Sequence, residues 1–253
     1  MKDFVHKDSI VRRIWGRGDC ILLIFAGGAA EFALNKAVDW LYFTGRLPAD
    51  PLGRLFSTVT YAQRIVFADQ DRAMAAIDQI SAIHRGVEQH RGQPIPPEAY
   101  LDVLFMLIDY SIRAFELLER PMTIEERAEV FSVFFQVGSR MGLRDLPADY
   151  PAYAAMRKQY MEKDLVAGHF SFDLYRQYRK HLGFLRYQSL LQIQGMLVPA
   201  RVRGLLRLPS VPWIVPAILL YKGLHRLRLD RLVKDIILPH AYKARIYRLD
   251  RAG

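Results

Sequence analysis

Three side chains have types and a spacing that could do chemistry: Arg54, Thr58 and His84. Arg54 and Thr58 are four residues apart, so a helix would present both on one face, where each can donate hydrogen bonds. His84 continues an apolar helical face and should point inward, where an imidazole can bind a metal or hydrogen-bond within the core. A lone histidine on such a face is more often a core residue than a ligand. The other members of that face are Ala73, Ile77, Ile80 and Val87.

Two consecutive helices are predicted to position these residues. The first begins at Asp50-Pro51, an N-cap residue followed by a proline whose missing amide would be unpaired there anyway. The second begins near Asp71 and carries His84.

The helix predicted before them, from Asp19 to Tyr42, is long, mostly buried and ended by Thr44-Gly45. Gly27 and Gly28 in its middle cost about 1 kcal/mol each relative to alanine, which indicates a close approach to the bare backbone. Another helix is the more common cause, and a flat macrocycle or its substrate is the functional alternative.

Further helices are predicted downstream, and one carboxylate among them needs a partner. Asp109 lies in a strongly apolar segment, so its burial would require an arginine such as Arg54 or Arg113. The sequence shows few strand-like alternations, no phosphate-binding glycine loop and no metal-spaced histidine or carboxylate pairs, which predicts an all-α protein. The downstream helical segments are Glu98 to Glu119, a helix opened by the capping box Thr123 to Glu126, Pro151 to Val166 and Ser171 to Gln194.

Length and composition predict a single helical domain over residues 1–200 with a basic amphipathic extension over residues 201–253. The chain has 253 residues, 51% of them hydrophobic, and a single cysteine, Cys20, which excludes an intrachain disulfide framework. The extension holds 12 Lys/Arg against 3 Asp/Glu, leaving 24 against 23 for the rest.

The mixture of cations and apolar residues in the extension fits an anionic membrane surface or a helix packed on the domain, and both interpretations stay open. No nucleic-acid-binding motif accompanies the charge, so we expect no nucleic-acid partner. The N-terminus lacks a signal-peptide layout, and neither apolar run reaches the ~20 residues of a membrane span. These features predict a cytoplasmic protein, peripheral at the inner face of the membrane if the extension binds lipid.

Two long stretches of the chain resemble a known family. The sequence from Asp50 to Glu88, followed by that from Ile95 to Tyr153, is similar to the catalytic domain of the rubber oxygenases (latex-clearing proteins) and of the endoplasmic-reticulum-bound oxygenases of fungal mycophenolic acid synthesis. The likeness extends over about Leu22 to Leu165 and thins toward the C-terminus.

The resemblance implies a globin-like helical core that binds one haem b (iron protoporphyrin IX). His84 matches the family's axial iron ligand, and Arg54 and Thr58 match its distal Arg-x-x-x-Thr pair. Arg54 would then neutralise a propionate or stabilise the distal ligand, to which Thr58 would also donate a hydrogen bond. The chain departs from the family at Ala26-Gly27-Gly28, where many relatives have Ala-His-Pro, and at two pocket positions, where Ser57 replaces a lysine and Asp39 is the nearest match to a glutamate.

The sequence therefore predicts a haem-dependent oxidoreductase that uses dioxygen or peroxide on a small apolar or lipid-like substrate. Apolar side chains around Leu22 and Leu101 would line its pocket. The alternative is a non-catalytic haem or lipid carrier attached to a membrane by its basic extension.

Overall fold

The computed structural model describes residues 2–43 and 51–210, together with the four positions 213, 215, 216 and 220. The side chains of residues 41 and 51–57 lie outside this description, as do Thr44-Gly45 and Asp50, which were predicted to end and to begin helices. The described residues form helices joined by short connections, with no strand among them, which confirms the all-α prediction. The helices are α1 (Ile10–Trp15), α2 (Gly18–Phe32), α3 (Val38–Phe43), α4 (Pro51–Val66), α5 (Gln70–Arg91), α6 (Pro97–Leu118), α7 (Ile124–Arg140), α8 (Tyr150–Asp164), α9 (His169–Leu197) and α10 (Ala200–Leu206).

Helix α6 is the centre of the domain. It buries 13 of its 22 residues and packs against α2, α7, α8 and α9. Its closest neighbour is α2, since a Cβ atom added at Gly27 would lie 2.2 Å from Cδ1 of Tyr110. The glycine therefore admits another helix, which is the more common of the two causes predicted from the sequence, whereas a Cβ at Gly28 would meet nothing within 4 Å.

The helix predicted over Asp19 to Tyr42 is interrupted, and that part of the prediction is wrong. Helix α2 ends at Phe32, because Asn35 uses its own side chain to fold the chain: its Oδ1 accepts from the amide of Ala37 at 2.8 Å. The Asn35 Nδ2 donates to Oδ2 of Asp102 on α6 at 2.6 Å, and the amide of Val166 donates to the carbonyl of Leu34 at 2.8 Å. The break between α2 and α3 is thus fixed to α6 and to the end of α8.

The carboxyl group of Asp102 on α6, which accepts the hydrogen bond from Asn35, has a raised pKa. Burial is the largest cause that raises the pKa of Asp102 from 3.8 to about 7; the charges of Asp164 and Glu31 also raise it, whereas the hydrogen bond from Asn35 and the charge of Arg157 lower it. In the unfolded chain an aspartate loses its proton near pH ~4. Between these two pH values the folded protein holds a proton that the unfolded chain has lost, so the contribution of Asp102 to stability is most favourable below about pH 4 and falls as the pH rises toward 7.

Replacing Asp102 by asparagine should remove this pH dependence. The amide keeps an acceptor for Asn35 and carries no charge, so the variant is expected to exceed the wild type at about pH 8 by roughly 1.4 kcal/mol or more, the value of one pKa unit. Thermal unfolding followed by circular dichroism from about pH 5 to about pH 8 measures the difference. Glu162→Gln, at an exposed position of α8, is the matched control; parallel profiles for Asp102→Asn and wild type would show that Asp102 does not titrate in this range.

The predicted boundary at residue 200 falls within packed structure. Val202 on α10 and Leu208 after it are buried in the main core, so the first residues of the basic segment pack on the domain. Most of residues 207–253 lie outside the described part of the chain, and the amphipathic extension stays a prediction.

Candidate functional site

Helix α5 carries His84 on a face whose burial decreases along the chain. Asp69 caps the helix by accepting from the amide of Arg72 at 3.0 Å, and Ala73 and Ile77 near its start are fully buried. Ile80 and His84, further along the same face, are half-buried. The imidazole is therefore on the inward face, as the spacing predicts, but nearer the surface than a core histidine would be.

Tyr100, near the start of α6, packs against His84. The two ring centroids are 5.2 Å apart and the rings meet edge to face. The Tyr100 hydroxyl donates to Oε1 of Glu88 at 3.2 Å, and the same oxygen accepts from the amide of Ile95 at 2.9 Å. Burial and the neighbouring Glu88 charge raise the pKa of Tyr100, so its hydroxyl stays protonated. These bonds hold the tyrosine ring, and with it one side of the imidazole.

Two turns beyond His84, Arg91 connects α5 to α3. Its Nη2 lies 2.7 Å from Oδ2 of Asp39, and its guanidinium carbon lies 3.8 Å from the centre of the Trp40 ring. Asp39, the candidate pocket carboxylate, is thus held by Arg91, whose backbone lies about 10 Å beyond His84 along the axis of α5. Its carboxylate is ion-paired with Arg91 rather than left as an unpaired base.

Helix α4 brings Arg54 and Thr58 alongside α5. The two helices are joined by residues 67–69 and pack against each other. His84 lies 14 residues after Gln70, the first residue of α5, and Arg54 lies 12 residues before Val66, the last residue of α4. The side chain of Thr58 is half-buried; that of Arg54 lies outside the described residues.

A cluster of buried charges lies deeper in the domain. Its central pair, Glu31 and Arg157, was not predicted from the sequence. Arg157 on α8 donates both Nη groups to the carboxylate of Glu31 on α2, and its Nη2 is also 3.3 Å from Oδ2 of Asp109. The Tyr110 hydroxyl donates to Oε2 of Glu31 at 2.9 Å. Arg113, one of the two partners predicted for Asp109, donates to its Oδ1 at 2.9 Å, which confirms that part of the prediction.

Burial and pairing within the cluster keep the Arg157 guanidinium charged and the Tyr110 hydroxyl protonated. Burial lowers the pKa of the Arg157 guanidinium, but the charge and hydrogen bonds of Glu31 more than offset this and raise it overall. Burial and the Glu31 charge likewise raise the pKa of Tyr110. Arginine, glutamate and tyrosine are thus all occupied with one another, which is typical of a structural network rather than of a proton-transfer site.

Two features of the sequence point to this cluster. Glu31 interrupts the apolar run from Cys20 to Ala30, and a charge in such a run must find a partner when the helix is buried. On α8, Tyr153 and Arg157 are four residues apart and both buried, at the spacing of one helical face.

The donor set around His84 is compatible with a haem. Among residues 2–43 and 51–210, no group of three or more His, Cys, Asp or Glu side chains is placed to hold a metal ion. A haem iron needs no such group, since the macrocycle fills four positions and one histidine is enough. A surface groove near the turn between α4 and α5, lined in part by Gln63, Arg64 and Arg72, does not include His84 or Thr58.

The fold and site thus define an all-helical protein with one half-buried histidine beside a helix that carries an Arg-x-x-x-Thr pair. The sequence profile of one family, described as "ER-bound oxygenase mpaB/B'/Rubber oxygenase, catalytic domain", matches residues 12–227. The chain belongs to this family, which confirms the resemblance seen in the sequence, and the match includes Arg54, Thr58 and His84. No curated protein and no solved structure shows a significant match to the chain. No helix among the described residues is long and apolar enough to cross a membrane.

Proposed function

We propose that this chain is a haem-b-dependent oxygenase that acts on an apolar substrate, with His84 as the axial ligand of the iron. Membership of an oxygenase family supports the reaction class. The position of His84 carries the rest of the proposal: the imidazole is half-buried, is held on one side by Tyr100 and belongs to the helix that packs against α4, which carries Arg54.

Each nearby residue has a role in the proposal that follows from its chemistry. His84 supplies a neutral imidazole nitrogen, and its contact with Tyr100 limits rotation of the ring. Arg54 supplies a permanent positive charge that pairs with a propionate or with the distal ligand, and Thr58 supplies a hydroxyl that can donate to that ligand. Asp39 has its charge neutralised by Arg91 and is a positioning residue for α3.

A bound haem would supply the redox-active iron that dioxygen or peroxide chemistry requires. The proposed substrate class rests on the surface of α2. Leu22 on α2 is half-buried, and Gly28 on the same helix has no atom within 4 Å of an added Cβ, so α2 offers an apolar surface and bare backbone. A hydrocarbon or lipid-like chain fits such a surface better than a polar metabolite does.

The test is a visible absorption spectrum of the protein expressed with excess haem precursor, before and after dithionite. Wild type is expected to show a Soret band near ~400 nm, as histidine-ligated haem does. His84→Ala should lose the band or shift it, and His84→Gly should recover it when imidazole is added, because the free base replaces the missing ligand.

His90→Ala is the matched control, since His90 is exposed on the same helix with its ring 5.8 Å from that of Phe43. This variant should keep the wild-type spectrum. A spectrum unchanged in His84→Ala, or lost in His90→Ala, would show that the ligand is assigned wrongly. A wild-type protein that stays colourless and refuses added haem would overturn the cofactor. Dioxygen consumption with an unsaturated hydrocarbon then separates an oxygenase from a carrier that only binds haem.

A further inference from the structure

Helix α9 changes direction at Gly183 and exposes two large apolar side chains there. Gly183 has φ 72° and ψ 174°, outside the helical region, so α9 is two helical segments that meet at this glycine. Phe184 is 62% exposed and Leu185 is 79% exposed. Side chains of this kind are among the most buried in proteins, and two adjacent ones at a corner form an apolar tip. Residues 179–186 form this α9 corner.

The α9 corner is also strongly basic. Arg179, Lys180 and Arg186 are exposed on either side of Phe184 and Leu185. No acidic residue nearby in the sequence balances these positive charges. Residues 174–229 contain ten arginines and lysines and no aspartate or glutamate. The nearest preceding acid, Asp173, already accepts from the Tyr42 hydroxyl at 2.9 Å.

A third exposed large apolar side chain, that of Trp213, lies near the second segment of α9. The amide of Trp213 donates to Oε1 of Gln192 at 3.2 Å, and its side chain is 65% exposed. Gln192 is about 12 Å further along α9 than Phe184, since each helical residue rises ~1.5 Å. Tryptophan prefers the boundary between water and lipid, where its apolar body and polar N–H are both satisfied.

We propose that the α9 corner is a docking surface for an anionic lipid membrane, with Phe184 and Leu185 entering the interface and Arg179, Lys180 and Arg186 contacting the lipid phosphates. Exposed apolar residues surrounded by cations combine the two contributions that bind a peripheral protein to such a surface. Nucleic acid would use the cations alone and leave the apolar tip in water. The chain's own residues 221–253 carry nine Lys/Arg against three Asp/Glu, so like charge disfavours them as the occupant.

The experiment uses the full chain and sedimentation with vesicles of phosphatidylcholine alone and of phosphatidylcholine mixed with phosphatidylglycerol. Wild type should bind the mixed vesicles and release at high salt, because surface electrostatics is screened. Phe184→Ser combined with Leu185→Ser should weaken binding by about tenfold or more, given the apolar area withdrawn from the interface. Arg179→Gln, Lys180→Gln and Arg186→Gln together should remove the preference for phosphatidylglycerol.

The matched apolar control is Ile124→Ser: Ile124 is 72% exposed but is followed by Glu125 and Glu126. Arg144→Gln, at an exposed position elsewhere, controls for the loss of charge. Both controls should bind like wild type. Brominated lipid should quench the fluorescence of wild type more than that of Trp213→Phe, since of the other two tryptophans Trp15 is fully buried and Trp40 is half-buried beneath the guanidinium of Arg91. Circular dichroism confirms that each variant is folded.

Three results would overturn the proposal. Vesicle binding unaffected by Phe184→Ser/Leu185→Ser would place the lipid contact elsewhere, for example in residues 221–253. Equal binding to both vesicle types would exclude the charge contribution. A change in elution volume for the double variant with unchanged vesicle binding would assign the corner to contact with a second copy of the chain. None of these measurements depends on haem, so the proposal of oxygenase activity and the proposal of a docking surface can be disproved independently.

Discussion

Arg157→Met is expected to lose about 3–5 kcal/mol of its free energy of unfolding, because the substitution leaves Glu31 as an unpaired buried charge. Glu31 is 1% exposed and Arg157 is 4% exposed, so water cannot replace the missing partner. Arg157 is also the contact between α8 and both α2 and α6, through Glu31 and Asp109. Chemical denaturation followed by circular dichroism measures the loss.

The matched control is Arg140→Met. Arg140 likewise donates two hydrogen bonds to one carboxylate, that of Asp78, at 2.8 and 2.6 Å, but both side chains are about half exposed, so the expected change is within about 0.5–1 kcal/mol. Glu31→Gln combined with Arg157→Met removes both charges and keeps an acceptor for Tyr110. It should recover stability relative to the sum of the single variants, with a coupling of about 0.5–3 kcal/mol. A loss for Arg157→Met no larger than that for Arg140→Met would contradict a structural role for the buried pair.

The sequence predicts the parts of the fold that local chemistry decides. The capping box at Thr123 is present, with the Thr123 side chain accepting from the amide of Glu126 and the Glu126 side chain accepting in return. The helix predicted over Glu98 to Glu119 is observed at Pro97–Leu118, directly after the proline-rich residues 94–96, and its apolar side chains are mostly buried. These features depend on neighbours within a few residues along the chain, so periodicity and capping rules find them.

The sequence does not predict features that depend on distant partners. The end of α2 depends on Asn35 meeting Asp102, which lies 67 residues further along the chain. The pairing of Glu31 with Arg157 spans 126 residues. For the candidate site, spacing places His84 inward, but only the structure brings Tyr100 and the Asp39–Arg91 pair to the same end of α5. The roles of Arg54, Thr58 and His84 still rest on the family match and the proposal above.

The second large effect is expected for Gly27→Ala, which should destabilise the protein although alanine favours a helix. The new methyl group would lie 2.2 Å from a ring carbon of Tyr110, and that ring is fully buried. Overpacking of this kind costs about 1–3 kcal/mol and exceeds the ~1 kcal/mol gained in helix propensity. Displacement of Tyr110 also strains its hydroxyl bond to Glu31, so the effect reaches the buried charges.

Gly28→Ala is the control one residue away. Its methyl group would meet nothing within 4 Å, so the helix-propensity gain of up to ~1 kcal/mol should appear undiminished. Equal stability of the two variants in thermal unfolding would show that α2 and α6 do not approach at Gly27. Comparing the two variants also separates the two causes predicted for these glycines, which are a neighbouring helix and a bound ligand. A neighbouring helix accounts for Gly27 but not for Gly28. If Gly28→Ala gains stability but loses affinity for haem or an apolar probe, the bare backbone at residue 28 is retained for a ligand at the expense of helix stability.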